Sequence, residues 1–246
     1  MNQYIEKEKE PPSEAMLLGN AVHMALETWM AEEGKDIGDL FDVFTASLAV
    51  VRKVGPISGD EEEAARTMLM DYYDKLDKVD KGLVLAVEEM FQLPLNACIV
   101  TGVIDRAEYL DDSKDTVVLV DYKSGRYATT QAKLRTNMQL AVYTYYAKQK
   151  WPAKYYVAEL HYPRLDKVLR HTFTDEELET QIKDMDKTAI DIKYDDQFLP
   201  KGSPFACGSC GFVHDCGWGR VQYKIYTAIK RKAGEEVLPL KPKKEA

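Results

Sequence analysis

An acid and a base stand two positions apart in "VVLVDYKSGRY" (117–127), where an apolar run ends in Asp121 and Lys123. Side chains two apart on a β-strand point to one face, so these two lie side by side with Leu119, and Tyr122 takes the other face. A mutually neutralising surface pair explains this pattern. An acid that anchors a cation beside a base that assists a reaction explains it equally, and the neighbouring sequence decides between the two.

Two further carboxylates occur in the apolar segments that precede this one. Asp105 lies in "TGVIDRAEYL" and Glu88 in "LAVEEMFQL", so three successive predicted strands each carry an acid. Glu88 is less certain than the aspartates, because Glu89 follows it and a strand sends the two to opposite faces. A buried unpaired charge is costly, whereas several carboxylates around one divalent cation satisfy each other through the metal. The three strands therefore predict a magnesium site.

The elements that must position these residues follow from periodicity, caps and turns. Thr174 and Glu177 have the spacing of a capping box, as do Ser58 and Glu61. The polar turn "DDSKD" predicts a hairpin between the strands that carry Asp105 and Asp121. Helices are predicted at 14–30, 36–53, 60–77, 130–149 and 175–193, and strands at 83–93, 97–110, 116–123, 154–161 and 167–173.

Composition excludes several classes of protein. The net charge of −8 is unlike that of a general nucleic-acid binder, so any DNA contact has to be local. Basic clusters at 148–154, 224–232 and 241–244 are interpreted as solvated helix faces or a tail. No apolar run approaches the roughly 20 residues of a membrane helix, and the charged N-terminus is unlike a signal peptide. We therefore expect no membrane partner and a cytoplasmic location.

The motifs "GVID", "VDYKSG" and "QLAVY", in this order and spacing, resemble the RecB-like branch of the PD-(D/E)XK nuclease superfamily. The resemblance extends from about residue 11 to residue 220 and implies an α/β fold with a restriction-endonuclease-like core, in which helices flank a central mixed sheet. It includes a "G-x-x-x-H" pattern from Gly19 to His23, where the missing side chain is expected to leave room for a ligand beside the imidazole. The implied site has metal ligands at His23, Asp105 and Asp121, a supporting acid at Glu88, a lysine beside the attacking water at Lys123, and a "Q-x-x-x-Y" pair at Gln139 and Tyr143.

The same resemblance implies a deoxyribonuclease that depends on Mg²⁺ or Mn²⁺, most simply an exonuclease. Its relatives act on single-stranded DNA or DNA ends in recombination, repair, phage replication or CRISPR adaptation. The sequence contains no Walker motif, so a helicase is expected only as a partner protein. The alternative is a catalytically inactive scaffold of the same fold that binds DNA or a helicase.

Three cysteines cluster in "FACGSCGFVHDCGWG", and their spacing favours a metal over a disulfide in a cytoplasmic protein. The resemblance implies a [4Fe–4S] cluster at Cys207, Cys210 and Cys216; in relatives a fourth cysteine precedes the first helix, and this sequence has no cysteine there. A zinc site completed by His214 is the alternative metal site. A protein that only binds metal and acts as a regulatory module is a further functional hypothesis. Cys98 is interpreted as a core residue of the strand that leads to Asp105.

The predicted organisation has three parts. Residues 1–200 form the nuclease core with an N-terminal helical part. Residues 201–232 form the cysteine-rich metal-binding segment and a final helix. Residues 233–246 form a flexible basic tail.

Overall fold

A computed structural model describes residues 12–31, 36–76, 78–197, 199–200, 202–208, 210, 212–213 and 215–234. The chain divides into two compact units, of which the larger runs from Pro12 to Lys193 and the smaller contains the residues from Tyr194 onward. The predicted boundaries at residues 200 and 232 stay a prediction. His214 and residues 235–246 of the predicted basic tail lie outside the described residues.

The larger unit is built on a five-stranded mixed sheet in the order β1-β2-β3-β4-β5. Neighbouring strands are antiparallel except for β3 and β4, which are parallel. A parallel pair needs a long crossover, and two helices between β3 and β4 provide it. The strands are β1 (Val84–Pro94), β2 (Ile99–Tyr109), β3 (Thr116–Tyr122), β4 (Tyr155–Tyr162) and β5 (Lys167–His171).

Two apolar cores cover the two faces of the sheet. Alternation along β3 sends Val118, Val120 and Tyr122 into a core formed with the first three helices. Val117 and Leu119 enter the second core, which is formed with the crossover helices and the helix after β5. The helices are α1 (Glu14–Ala31), α2 (Ile37–Val51), α3 (Gly59–Leu76), α4 (Gln131–Leu134), α5 (Met138–Lys150) and α6 (Asp175–Tyr194).

The predicted α/β fold with a central mixed sheet and flanking helices is confirmed, and three local expectations differ. The helix predicted at 130–149 is broken into α4 and α5, because the Asn137 side chain accepts a hydrogen bond from the Leu140 amide and starts a new helix. The Glu61 amide donates to the Ser58 hydroxyl at 3.4 Å, so only one half of that capping box is formed. Cys98 is half-buried in the turn between β1 and β2, so its assignment to the core of a strand is wrong.

The smaller unit contains two helices, α7 (Pro204–Gly208) and α8 (Gly217–Lys232), that pack against each other. The Tyr226 ring lies so close to Gly208 that a Cβ there would come within 2.8 Å of it, which only glycine permits. Cys216 caps α8, and its sulfur accepts a hydrogen bond from the Gly219 amide at 3.2 Å.

Candidate active site

Two of the acidic residues lie opposite each other on antiparallel strands. β1 pairs with β2 in one register on both sides of Glu88, which brings Glu88 opposite Asp105. Glu88 has a φ of 49°, a left-handed conformation that costs a non-glycine residue about 1–3 kcal/mol. Such strained residues concentrate at functional sites. The backbone of Glu88 is therefore a first indication of a functional role.

A histidine on α1 completes a group of three. His23 Nδ1 lies 3.4 Å from Asp105 Oδ2, and one ligand atom from each of His23, Glu88 and Asp105 lies within 4.8 Å of the others. The backbone amide of Tyr122 donates to Asp105 Oδ2 at 2.7 Å and so fixes this carboxylate. Two carboxylates and one imidazole are a donor set that fits a divalent cation.

Electrostatics at this group indicates an excess of negative charge. Burial, reinforced by the charge of Asp105, raises the pKa of Glu88 to about 7. Burial alone would lower the pKa of His23, but its hydrogen bond to Asp105 and the surrounding carboxylates raise it. Both shifts have the sign that a bound cation would oppose.

The acid and base of the opening motif are in contact. Lys123 Nζ lies 2.6 Å from Asp121 Oδ2, yet this buried oxygen accepts no well-aligned hydrogen bond from any described residue. Burial is the main cause that raises the pKa of Asp121 to about 6, although the Lys123 charge opposes it. Asp121 is thus a buried carboxylate that lies close to the Lys123 ammonium without a well-aligned hydrogen bond.

The predicted ligand set differs in one member from the group that the structure brings together. The sequence predicted His23, Asp105 and Asp121, with Glu88 in support. In the structure Glu88 belongs to the close group, whereas Asp121 lies outside it and contacts Lys123. Ligation by Asp121 stays a prediction.

The "Q-x-x-x-Y" pair lies one helical turn apart on α5 and reaches the lysine. Lys123 Nζ donates to Gln139 Oε1 at 3.0 Å, and Gln139 Nε2 donates to the Tyr143 hydroxyl at 2.8 Å. Burial raises the pKa of Tyr143, which keeps the phenol protonated. These contacts orient the ammonium, and the catalytic roles of Gln139 and Tyr143 stay predictions.

The glycine that precedes His23 by one turn lies next to the residue that follows Lys123. A Cβ on Gly19 would lie 3.1 Å from the Ser124 hydroxyl oxygen, so the glycine gives room to this side chain. Room for a ligand beside the imidazole stays a prediction.

An open cavity of about 420 Å³ lies next to these groups. Of the residues that line this cavity, His23 and Lys123 were predicted as site residues from the sequence, and the others were not. The segment "SGRYAT" directly after Lys123 was a signal for part of the wall, whereas nothing in the sequence pointed to Tyr162. The cavity is lined by His23, Tyr122, Lys123, Ser124, Gly125, Tyr127, Thr129 and Tyr162.

Comparison with known families agrees with this geometry. A model of the PD-(D/E)XK nuclease superfamily matches residues 2–217. This chain belongs to that superfamily. The family expected from the motifs is thereby confirmed, and the chain is a nuclease of a class that uses divalent metal ions.

Solved structures similar to this PD-(D/E)XK nuclease include a candidate exonuclease from Eubacterium rectale, with 12% identity and a TM-score of 0.47 over 78% of this chain and 72% of that one. The protein SSO0001 is similar with 13% identity and a TM-score of 0.38, over 82% of this chain and 96% of that one. No curated protein gives a significant match.

The cysteines of this PD-(D/E)XK nuclease form a separate feature of the smaller unit. Cys207 is buried, Cys216 is half-buried and Cys210 is exposed. Burial raises the pKa of the Cys207 thiol, and the neighbouring Cys210 and Cys216 raise it further. Among the described residues the three sulfurs do not all lie within 4.8 Å of one another. A metal at the cysteines stays a prediction.

Within the part of the chain that the structure describes, no helix has both the length and the hydropathy needed to cross a bilayer.

Proposed function

We propose that this nuclease is a divalent-metal-dependent deoxyribonuclease that acts on DNA ends. One observation carries the proposal: Lys123 Nζ contacts the buried Asp121 carboxylate beside the close group of His23, Glu88 and Asp105. Action on ends rests on the resemblance of the sequence motifs to the RecB-like branch.

His23, Glu88 and Asp105 would hold the cation, and Asp121 offers a further carboxylate. Bound Mg²⁺ or Mn²⁺ supplies a Lewis acid that polarises the scissile phosphate and makes water more acidic. The residues present fit such an ion, because they offer hard oxygen donors and an excess of negative charge within a small space.

Hydrolysis adds one water across a P–O bond of the backbone. The water oxygen bonds to phosphorus, the P–O bond to one flanking sugar breaks, and the departing sugar oxygen takes up a proton. Lys123 would orient the water and offset the charge that develops on the phosphoryl oxygens. Gln139 holds the ammonium from the other side at 3.0 Å, so that the lysine needs little reorganisation during the reaction.

The decisive experiment measures degradation of end-labelled linear DNA with Mg²⁺ or Mn²⁺. We expect Lys123→Ala to lose about 100-fold or more in rate, which is the usual effect of removing a preorganised group that stabilises the transition state. Lys154→Ala is the matched control, because Lys154 forms a similar ion pair with Asp115 in an exposed position.

A closed circular DNA of the same sequence tests the dependence on ends. An exonuclease leaves it intact, whereas an endonuclease converts it to linear fragments. If the wild type and Lys123→Ala degrade neither substrate but bind DNA equally well, the protein is the inactive scaffold instead.

The cysteine segment is proposed to hold a structural metal, either [4Fe–4S] with a fourth ligand from outside the motif or zinc with His214. Burial and the nearby Cys210 and Cys216 raise the pKa of the Cys207 thiol, which supports the proximity of the three residues. Iron and zinc analysis with a visible spectrum of anaerobically purified protein distinguishes the two metals, and a helicase partner is testable by co-purification.

A further inference from the structure

Tyr127 is exposed in the wall of the candidate active site. It lies on the loop between β3 and α4, and its ring lines the cavity that also contains His23 and Lys123. The residue is 90% exposed. No described residue forms a hydrogen bond, a ring contact or a cation–π contact with it. Packing therefore gives no reason for an aromatic side chain at this position.

The other two tyrosines of the cavity have structural partners. The Tyr122 hydroxyl accepts a hydrogen bond from the buried Arg106 at 2.6 Å, and the Tyr162 hydroxyl accepts one from the Thr129 amide at 3.2 Å. Both rings are buried in the apolar cores. Tyr122 and Tyr162 therefore form part of the cavity wall, whereas the ring of Tyr127 is accessible to a ligand in the cavity.

The chemistry of the site restricts what enters. If a phosphate lies at Lys123, as the proposed function requires, an adjoining nucleotide can reach Tyr127, because both residues line the same cavity. The loop segment 124–130 contains no acidic residue that would repel the backbone. Aromatic rings bind nucleobases by stacking, which tolerates any base because every base has a π-face.

Only an unpaired base can use such a platform fully. In a duplex both faces of an internal base are covered by its neighbours, whereas a single-stranded nucleotide exposes them. The cavity of about 420 Å³ lies in the lower part of the range of about 300–1,000 Å³ that is typical of small-ligand sites, which suits one nucleotide better than a base pair.

We infer that Tyr127 stacks on the base of an unpaired nucleotide beside the scissile phosphate, so that the enzyme selects single-stranded DNA. The inference rests on the proposed nuclease function and adds the residue that discriminates between single-stranded and duplex DNA.

Steady-state kinetics on single-stranded DNA and on a blunt duplex of the same sequence test the inference. Tyr127→Ala should lower kcat/KM on the single strand by about 10- to 100-fold, because loss of one stacked base typically has an effect of this size. Tyr127→Phe keeps the ring and should retain the wild-type rate. The wild type should cleave the single strand faster than the blunt duplex, and Tyr127→Ala should narrow this difference.

Tyr155→Ala is the matched control. Tyr155 is also an exposed tyrosine at 60%, but it pairs with Thr116 at the start of β3, about 20 Å along the strand from Tyr122 at a rise of about 3.3 Å per residue. We expect wild-type rates and melting temperature for this variant. An unchanged melting temperature for Tyr127→Ala separates a binding role from a structural one.

A substrate with one abasic nucleotide beside the cleaved bond identifies the stacked base. The wild type should cleave it as slowly as Tyr127→Ala cleaves the intact strand, and Tyr127→Ala should cleave both strands alike, because the two changes remove the same interaction. Additive losses would overturn the inference, as would an equal effect of Tyr127→Ala on single strand and duplex.

An equilibrium measurement keeps this inference separate from the proposed function. A 2-aminopurine nucleotide at the strand end is mixed with the Lys123→Ala variant and with the Lys123→Ala/Tyr127→Ala double variant. Stacking should quench the fluorescence only when Tyr127 is present. Equal quenching overturns the stacking role even if the wild type is an active nuclease, and an inactive wild type with Tyr127-dependent quenching overturns only the proposed function.

Discussion

The two ends of strand β3 carry the same chemical pair in opposite environments. At the carboxyl end Lys123 Nζ lies 2.6 Å from Asp121, and at the amino end Lys154 Nζ lies 2.7 Å from Asp115. The Asp121 side chain is 2% exposed, whereas the Asp115 side chain is 44% exposed. Distance and charge are nearly equal, so the difference lies in burial.

Burial changes what the pair can do. An exposed ion pair is solvated and contributes only about 0–1 kcal/mol to stability. The buried Asp121 retains an acceptor oxygen without a well-aligned hydrogen bond from any described residue, and it lies near the carboxylates of Asp105 and Glu88. Such an arrangement is unfavourable by itself and becomes favourable with a cation. The environment, not the acid–base pair itself, therefore distinguishes the two ends of β3.

The largest expected effect is on activity. Asp121→Asn should lower the rate of DNA degradation by about 100- to 1,000-fold, because it removes a charge aimed at the reacting groups. Asp115→Asn should leave the rate unchanged. Initial rates on end-labelled DNA at saturating Mn²⁺ measure both variants. Equal activities of the two variants would show that the buried pair has no special role.

In the absence of substrate, metal binding should distinguish the buried acidic group that contains Asp105 from the exposed Asp115–Lys154 pair. Mn²⁺ at about 100 times its dissociation constant should stabilise the wild type by about 2.7 kcal/mol, since the ion binds only the folded state. Asp105→Asn should abolish this gain and Asp115→Asn should retain it. Calorimetric melting with and without the ion gives the answer, and a full Mn²⁺ response in Asp105→Asn would contradict the proposed ligand set.

Much of the fold could be predicted because it depends on local periodicity. The apolar run in "VVLVDY" predicted a strand, which the structure covers with an apolar core on each face, and the central sheet with flanking helices is confirmed. The break before Met138 was missed, because helix periodicity continues across it and only the hydrogen bond of Asn137 shows that a new helix begins. Cys98 was misplaced, since an apolar residue in a turn between two strands reads like part of a strand.

The site was predictable in its members but not in its geometry. Motif spacing indicated Asp105, Asp121 and Lys123, and the structure brings them near one another. Motif spacing could not show that Glu88 has a left-handed backbone. It also could not show that Glu88, and not Asp121, belongs to the close group with His23. Nor could it show the exposure of Tyr127, because exposure depends on how the whole loop packs.

Two adjacent glutamates on β1 also have opposite electrostatic environments. Glu88 is crowded by Asp105, whereas Glu89 accepts a hydrogen bond from Tyr146 at 2.7 Å and pairs with Lys150. In metal-free protein Glu88→Gln should therefore raise the free energy of unfolding, and Glu89→Gln should lower it, each by about 1 kcal/mol or less. Urea denaturation in EDTA measures both. A loss of stability in Glu88→Gln would mean that this carboxylate is not repelled by its neighbours.

The smallest effect concerns a buried histidine behind the site. The Tyr72 hydroxyl contacts Nδ1 of His161, and the Glu159 carboxylate lies 2.5 Å from its Nε2. The charges of Arg106 and Arg170 also act on the ring. Burial lowers the pKa of His161 although Glu159 opposes this, so the ring is neutral in the folded protein. The His161 carbonyl also accepts a hydrogen bond from the Lys123 amide, which connects β4 to the loop that follows β3.

This lowered pKa makes stability depend on pH with a definite sign. As pH falls below about 6.5, the ordinary histidine pKa, His161 becomes protonated in the unfolded chain before it does so in the folded protein. The unfolded state then binds more protons, so the free energy of unfolding decreases. His161→Gln should weaken this decrease between about pH 5 and pH 7, because glutamine does not titrate. His171→Gln, on the adjacent strand β5, is the control. Comparing each variant with the wild type at the same pH cancels the titrating groups that do not contact the substituted residue; Glu159, whose pKa the His161 contact lowers, does not cancel. Identical pH slopes for the wild type and His161→Gln would mean that this histidine is protonated equally in the folded and unfolded states.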